Sequence, residues 1–215
     1  MRVPERAARP SLTMAAAAAF AGWAITAARL HTRTRQLHHA HRDPVSGLLT
    51  RAAWEPAAQA ALRHRGGTLG LVDLDGFKAI NDTFGHDAGD HVLHAVATRL
   101  TTTLGAEAVV GRLGGDEFAF VSARTDLTPA ELDRLLAALT APIRVVGAGD
   151  LPIGASVGLS TSDRTTTLSD ALSDADRAMY EAKALRSGWR RHTPGPAAIP
   201  EPRARHRTHQ EVSPR

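Results

Sequence analysis

Apolar residues in the middle of the chain recur with two different periods. Val92, Leu93, Val96 and Leu100 fall three or four positions apart and predict a long amphipathic helix over 87–104. Leu172, Ala175, Met179 and Ala182 do the same for a helix over 168–185. Shorter runs read as strands over 68–73, 106–112, 117–122, 143–146 and 153–160, the first apolar through Leu69, Leu71 and Val72. The strands 106–112 and 117–122 join at Gly114-Gly115, a hairpin signal. Residues 50–63 predict a helix in spite of Pro56. A further helix over 128–139 opens on Thr128 and Glu131, the spacing of a capping box. Strand, long helix, hairpin, helix, strand is the order of the ferredoxin-like α+β class, an antiparallel sheet with helices on one face. In that layout the first strand and the hairpin lie side by side.

Outside this region the pattern changes. Leu12–Ala28 is an uncharged, alanine-rich run of 17 residues containing Phe20, Trp23 and Ile25. It stands at the short limit for crossing a bilayer, and alanine is only weakly apolar. Three readings are open for residues 1–28: a membrane anchor, a cleaved signal peptide, and a soluble helix. Arginines 29, 33, 35 and 42 after the run slightly favour a cytoplasmic C-terminal side. Leu30 and Leu37, one heptad apart, suit a connecting helix over 29–42 that is either a short parallel dimer contact or a solvated linker. Residues 189–215 are rich in proline and arginine and read as a disordered tail.

Charge divides along the same boundaries. The formal net charge is +4, but residues 1–42 hold seven arginines and one glutamate, and residues 189–215 hold six arginines and two glutamates. The folded region, 43–188, has 13 basic against 19 acidic residues. A nucleic-acid-binding domain would place its positive charge on the fold itself, so no nucleic acid is expected. The absence of cysteine excludes disulfides and thiolate metal sites.

Two pairs of acids stand out against this background. Asp73 and Asp75 close the first apolar strand, and Asp116 and Glu117 follow the double glycine. Taken singly, Asp73 reads as a capping carboxylate and the other pair as solvated turn acids. Placed on neighbouring strands they repel one another unless a cation lies between them, and hard oxygen ligands suit Mg²⁺. Magnesium typically links a few carboxylates to substrate phosphates, which predicts a nucleoside triphosphate as ligand. Gly76-Phe77-Lys78, a turn entering a helix beside a lysine, is a candidate phosphate cradle. His86 and Asp90 lie four apart on one helical face, with Asn81 upstream. Asparagine can bond a purine edge in both senses, and aspartate accepts from guanine but finds no such donor pair on adenine. Helix capping is the plainer reading of Asn81 and of Asp90 alone.

Together these segments resemble the GGDEF-domain diguanylate cyclases over residues 43–188. Gly114-Gly115-Asp116-Glu117-Phe118 is the motif for which that family is named. Asp43-Pro44-Val45-Ser46-Gly47-Leu48 resembles its opening wide turn, and the block from Asp73 to Asp90 follows its central segment almost letter by letter. Residues 156–160 and 175–183 are similar to its late strand and last helix. The resemblance implies a nucleotidyl cyclase-like, palm-type fold that condenses two GTP into cyclic di-GMP and pyrophosphate. It implies Mg²⁺ (or Mn²⁺) held by Asp73, the Leu74 carbonyl and Asp116, with Glu117 assisting. Asp116 is then the candidate base for the attacking 3′-hydroxyl. Asn81 and Asp90 would read guanine with His86 beside them, and Lys78 and Lys183 would face the phosphates. One domain holds one GTP, so closing the product ring requires a homodimer. Such an enzyme belongs at the cytoplasmic face of the membrane, or in the cytoplasm if residues 12–28 do not insert. Export would strand it away from its substrate.

The sequence departs from the family in three places. Its inhibitory product site, Arg-x-x-Asp, is replaced by Gly105 and Ala108, so no feedback inhibition is expected there. The usual Asn-Arg closing the first block is Thr50-Arg51, which would loosen the turn. The phosphate-binding arginine after Lys183 is displaced, leaving Arg186 or Arg190 as substitutes. The alternative to an enzyme is a non-catalytic GTP- or cyclic-di-GMP-binding module. Such receptors typically lose the acids, which are all present here.

Overall fold

A computed structural model describes residues 41–193. The expected anchor over 1–28, all but the last two residues of the connecting segment, and the tail beyond 193 lie outside them. Among the described residues thirteen elements follow in chain order. They are β1 (Leu49–Thr50), α1 (Arg51–Arg65), β2 (Gly67–Asp75), α2 (Phe77–Phe84), α3 (His86–Leu104), β3 (Val109–Gly114) and β4 (Glu117–Ser122). Then come α4 (Pro129–Thr140), β5 (Ile143–Val145), β6 (Gly149–Leu151), β7 (Gly154–Ser162), α5 (Leu168–Leu185) and β8 (Trp189–Arg191). Six strands form one sheet in the order β1-β3-β4-β2-β7-β8, and β5 and β6 form a separate two-stranded ribbon. The centre of the large sheet is antiparallel, whereas the edge pairs β1/β3 and β7/β8 are parallel.

The helices cover both faces of this sheet, which corrects the one-face layout expected from element order. On one face Val72, Leu74, Phe118, Phe120, Val157 and Leu159 meet Val92, Leu93, Val96 and Leu100 of α3 and Leu132, Leu135 and Leu139 of α4. On the other, Leu69, Leu71, Ala119 and Val121 pack under Trp54, Ala58 and Leu62 of α1 and Ala171 and Ala175 of α5. The reason lies in β2, where every residue from Gly67 to Val72 is buried. A strand apolar on both faces needs a cover on each. Along β7, Gly158 removes the side chain that would hold α5 away; a Cβ there would come within 2.1 Å of the Ala175 carbonyl oxygen.

The Thr128 capping box forms with both of its hydrogen bonds, and α5 runs over the residues its periodicity predicts. The fold does not stop at 188. β8 pairs with Val157–Leu159 of β7, and the Trp189 Nε1–H donates to Asp133 of α4 at 2.8 Å. Three residues beside a proline- and arginine-rich stretch carry no strand period of their own; tertiary contacts make this strand. Among the described residues no helix is long and apolar enough to cross a membrane.

Candidate active site

At the C-terminal end of β2, strand register decides which side chains meet. Asp73 stands opposite Glu117 of β4 on one side and Ser156 of β7 on the other. One residue on, the Leu74 N–H donates to the Asp116 carbonyl at 3.3 Å. Asp75, the last residue of β2, accepts from the Ser156 hydroxyl at 3.0 Å. Lys183, in the last turn of α5, brings its ammonium to 2.6 Å from Asp73 Oδ1. That hydrogen bond raises the pKa of Lys183 against the opposing effect of burial, and the fields of Asp73, Asp75 and Asp116 raise it further. A single cation thus feels carboxylates from both acidic segments. Lys183 also lines two openings, one of about 470 Å³ with Asp73, Asp176 and Tyr180, the other of about 530 Å³ with Asp75, Ser156 and Arg186.

The hairpin tip carrying Asp116 is held through its main chain. Gly114 and Gly115 turn the chain with φ of 154° and 50°, in a region that side chains resist. The β3/β4 register slips between Arg112 and Gly114. Arg51 Nε reaches the Leu113 carbonyl at 3.2 Å, while its Nη2 lies 3.7 Å from Glu117. Arg112 donates from Nε and Nη2 to the Gly115 carbonyl at 2.9 and 2.7 Å, and from Nη1 to Asp43 Oδ1 at 2.9 Å. Burial pushes the Asp43 carboxyl up, but hydrogen bonds from the Ser46 amide and hydroxyl, with the Arg112 guanidinium, outweigh it and hold the pKa below its usual value. The opening turn is not loosened by Thr50-Arg51. It closes through Asp43 N–H to Leu48 carbonyl and Gly47 N–H to Asp43 carbonyl, both at 2.8 Å.

The second group of predicted residues sits apart, on α2 and α3. His86 begins α3 and Asp90 follows one turn later, both exposed. Asn81 is half-buried on α2, with its Oδ1 only 1.9 Å from where a Cβ on Gly89 would be. The absence of a side chain at Gly89 therefore lets the Asn81 carboxamide lie against the first turn of α3. Lys78 is exposed at the start of α2, and among the described residues no hydrogen bond or ion pair links it to the acid cluster. The structure unites Asp73, Leu74, Asp116, Glu117 and Lys183, and separately Asn81 with the Gly89–Asp90 turn.

A family model described as "Diguanylate cyclase, GGDEF domain" matches residues 40–188. The chain belongs to the GGDEF diguanylate cyclase family. It is 47% identical over 165 residues to an uncharacterized 19.3 kDa protein of Streptomyces ambofaciens, covering 75% of this chain and 87% of that one. It is 38% identical over 174 residues to the diguanylate cyclase TpbB of Pseudomonas aeruginosa, covering 76% of this chain but 40% of TpbB. The chain thus spans about two fifths of the length of that curated cyclase. The coiled coil and GGDEF domain of DgcB from Caulobacter crescentus, in complex with c-di-GMP, superimposes with a TM-score of 0.69 over 81% of this chain and 97% of that one, at 24% identity. That likeness supports the fold.

Within this GGDEF domain, the residues that support the acidic tip were not among those singled out by their chemistry. Arg112 lies two positions before the double glycine, and Asp43 opens the wide turn, yet nothing local links them. Arg186, a candidate for the displaced phosphate contact, caps α5 in the left-handed region (φ 49°, ψ 39°) and lines the opening shared with Lys183. Arg190 instead donates to its neighbour's carbonyl within β8.

The donor set fits a hard divalent ion. Among the described residues no three acidic or histidine side chains surround one point. Mg²⁺ does not require such a cage, since it completes its shell with water, main-chain carbonyls and substrate phosphates. The Asp116 carboxylate makes no hydrogen bond or ion pair to another described residue, so its oxygens are available.

Proposed function

We propose that this chain condenses two GTP molecules into cyclic di-GMP, releasing two pyrophosphates, as a homodimer with Mg²⁺ or Mn²⁺ bound. The observation that carries the proposal is the β2/β4 register, which brings Asp73 opposite Glu117 and bonds Leu74 to the Asp116 main chain. Asp73, the Leu74 carbonyl and Asp116 would hold the ion, with Glu117 assisting. Bound there, it would lower the pKa of the attacking hydroxyl and offset charge on the leaving pyrophosphate.

The chain's own groups do the rest. Asp116 takes the proton of the 3′-hydroxyl as that oxygen attacks the α-phosphate of the partner's GTP. Asn81 and Asp90 bond the guanine edge, with His86 alongside, which holds the sugar end of the nucleotide in place. Lys183 and Arg186 meet phosphate oxygens, and Lys78 adds positive charge from the start of α2. Two domains face to face perform the same transfer twice and close the ring. Residues 12–28 anchor the assembly at the cytoplasmic face of the membrane; deleting 1–28 is expected to move the protein into the soluble fraction.

Incubation of the purified full chain with GTP and Mg²⁺, followed by chromatography, tests the activity. Cyclic di-GMP is the expected product. Binding of GTP without any product would instead favour the non-catalytic module. Because Gly105 and Ala108 replace the inhibitory pair, added cyclic di-GMP is expected not to slow the reaction through that site.

A further inference from the structure

The three carbonyls at and beside the hairpin tip are each held by a different element. Arg51 of α1 takes the Leu113 carbonyl, Arg112 of β3 takes that of Gly115, and the Leu74 amide of β2 takes that of Asp116. Of these supports the second is itself held by a half-buried carboxylate. The Arg112 side chain is 13% exposed and that of Asp43 19%, and they meet at 2.9 Å. Asp43 Oδ1 is in turn fixed at 2.7 Å by both the amide and the hydroxyl of Ser46. A guanidinium spends two donors on one carbonyl and a third on a carboxylate, which leaves the plane of the group little freedom.

Asp43 stands where the N-terminal part of the chain enters the domain. Arg42 donates to the Gly47 carbonyl at 2.7 Å and forms a bridge with Leu49. Leu49 and Thr50 of β1 then pair with Gly111 and Arg112 of β3. Entry segment, wide turn and catalytic hairpin are therefore joined by one continuous set of bonds, ending one peptide before Asp116.

We infer that Asp43 and Arg112 form a positioning clamp, by which the entering chain sets the orientation of the Gly115–Asp116 peptide and so of the Asp116 carboxylate. The inference rests on the reading of Asp116 as a catalytic group. Arg112 touches neither substrate nor ion in this role; it acts through the Gly115 carbonyl. A displacement of the segment before Arg42 would reach the tip through Asp43, with no movement of β2 or of the Asn81–Asp90 corner.

The test uses the full-length chain and the variants Asp43→Asn, Arg112→Gln and Arg112→Lys, with the double variant D43N/R112Q. The Asp43→Asn change keeps the size of the side chain and an acceptor for Ser46 but loses the charge that holds Arg112. The expected result is a fall in kcat on the order of tenfold for D43N and R112Q, since small misplacements at a reacting centre are costly. KM for GTP stays within about twofold, because base recognition lies elsewhere. Arg112→Lys, which cannot serve both partners, behaves like R112Q. The double variant is no worse than R112Q alone, the mark of two residues acting as a unit. Hydrogen–deuterium exchange is expected to quicken in the amides of 112–118 while those of β2 and α3 keep their protection. Unchanged kcat and exchange in D43N would overturn the clamp, as would additive losses in the double variant. Loss of protection spread evenly over the domain, with Tm falling in step with kcat, would reduce it to ordinary packing. A wild-type chain that makes no cyclic di-GMP would sink the proposed activity, while the exchange data would still decide whether the clamp exists.

Discussion

The acidic tip and the Asn81–Asp90 corner of this site are built by different means. Around Asp116 the polypeptide itself is held, carbonyl by carbonyl, by donors from α1, β2 and β3. Around Asp90 the backbone bonds are local, Gly85 N–H to the Asn81 carbonyl and Gly89 N–H to that of Gly85, while His86 and Asp90 stand exposed and the Asn81 carboxamide lies against Gly89. A group whose backbone is fixed in advance needs no reorganisation at the moment of reaction, the condition under which electrostatic stabilisation is strongest. A corner of exposed side chains is organised by its ligand. On the proposed reading, damage at the tip appears in kcat and damage at the corner in KM.

The largest effect is expected from Asp116→Ala, which removes both an ion ligand and the proposed base. Formation of cyclic di-GMP should fall at least about 10³-fold, while circular dichroism and Tm stay close to wild type because the side chain is not part of the core. Unchanged turnover would take Asp116 out of the mechanism. At the corner, Gly89→Ala puts a Cβ 1.9 Å from Asn81 Oδ1. The displaced carboxamide should lose its bond to the base and raise KM for GTP by about tenfold with little change in kcat; the reverse pattern would merge the two regions into one.

A smaller effect sharpens the role of Lys183. Its ammonium competes with any divalent ion for Asp73, to which it lies within 2.6 Å. Lys183→Met should therefore tighten Mn²⁺ binding to the nucleotide-free protein roughly severalfold, read by electron paramagnetic resonance, and at the same time weaken GTP binding. Weaker Mn²⁺ binding would show that the lysine organises the acids rather than opposing the ion. Smallest is Arg186→Gly. It relieves a non-glycine residue at φ 49°, a strain of about 1 kcal/mol, and should raise Tm by about 2–4 °C by scanning calorimetry. A rise in KM for GTP in the same variant would mark Arg186 as the displaced phosphate contact.

Much of this arrangement is legible in the amino acids because local physics decides it. The helix over 168–185 and the capping box at Thr128 follow from side-chain spacing within a few residues, and both form as expected. The two acidic segments could be paired in advance because strand order brings β2 and the hairpin together. Elsewhere distance defeats the pattern. Strand β3 begins at Val109, not at Ala106, because Gly105 and the residues after it end α3 and make the turn. β1 and β8 are two and three residues long and exist only through their neighbours. The second helical layer could have been read from β2, whose continuous burial leaves no face for solvent. Asp43 and Arg112 are 69 positions apart, and no periodicity connects them.

Gly158 gives the fold its finest tolerance. With no side chain between them, strand and helix touch main chain to main chain, and an added methyl would stand 2.1 Å from the Ala175 oxygen and 2.2 Å from the Met179 nitrogen. Such a methyl could be admitted only by lifting α5 off the sheet, and the helix would act as a lever. Its free end, one turn past Met179, holds the ammonium over Asp73. The reach of that charge is thus gauged by a single hydrogen atom lying between strand and helix.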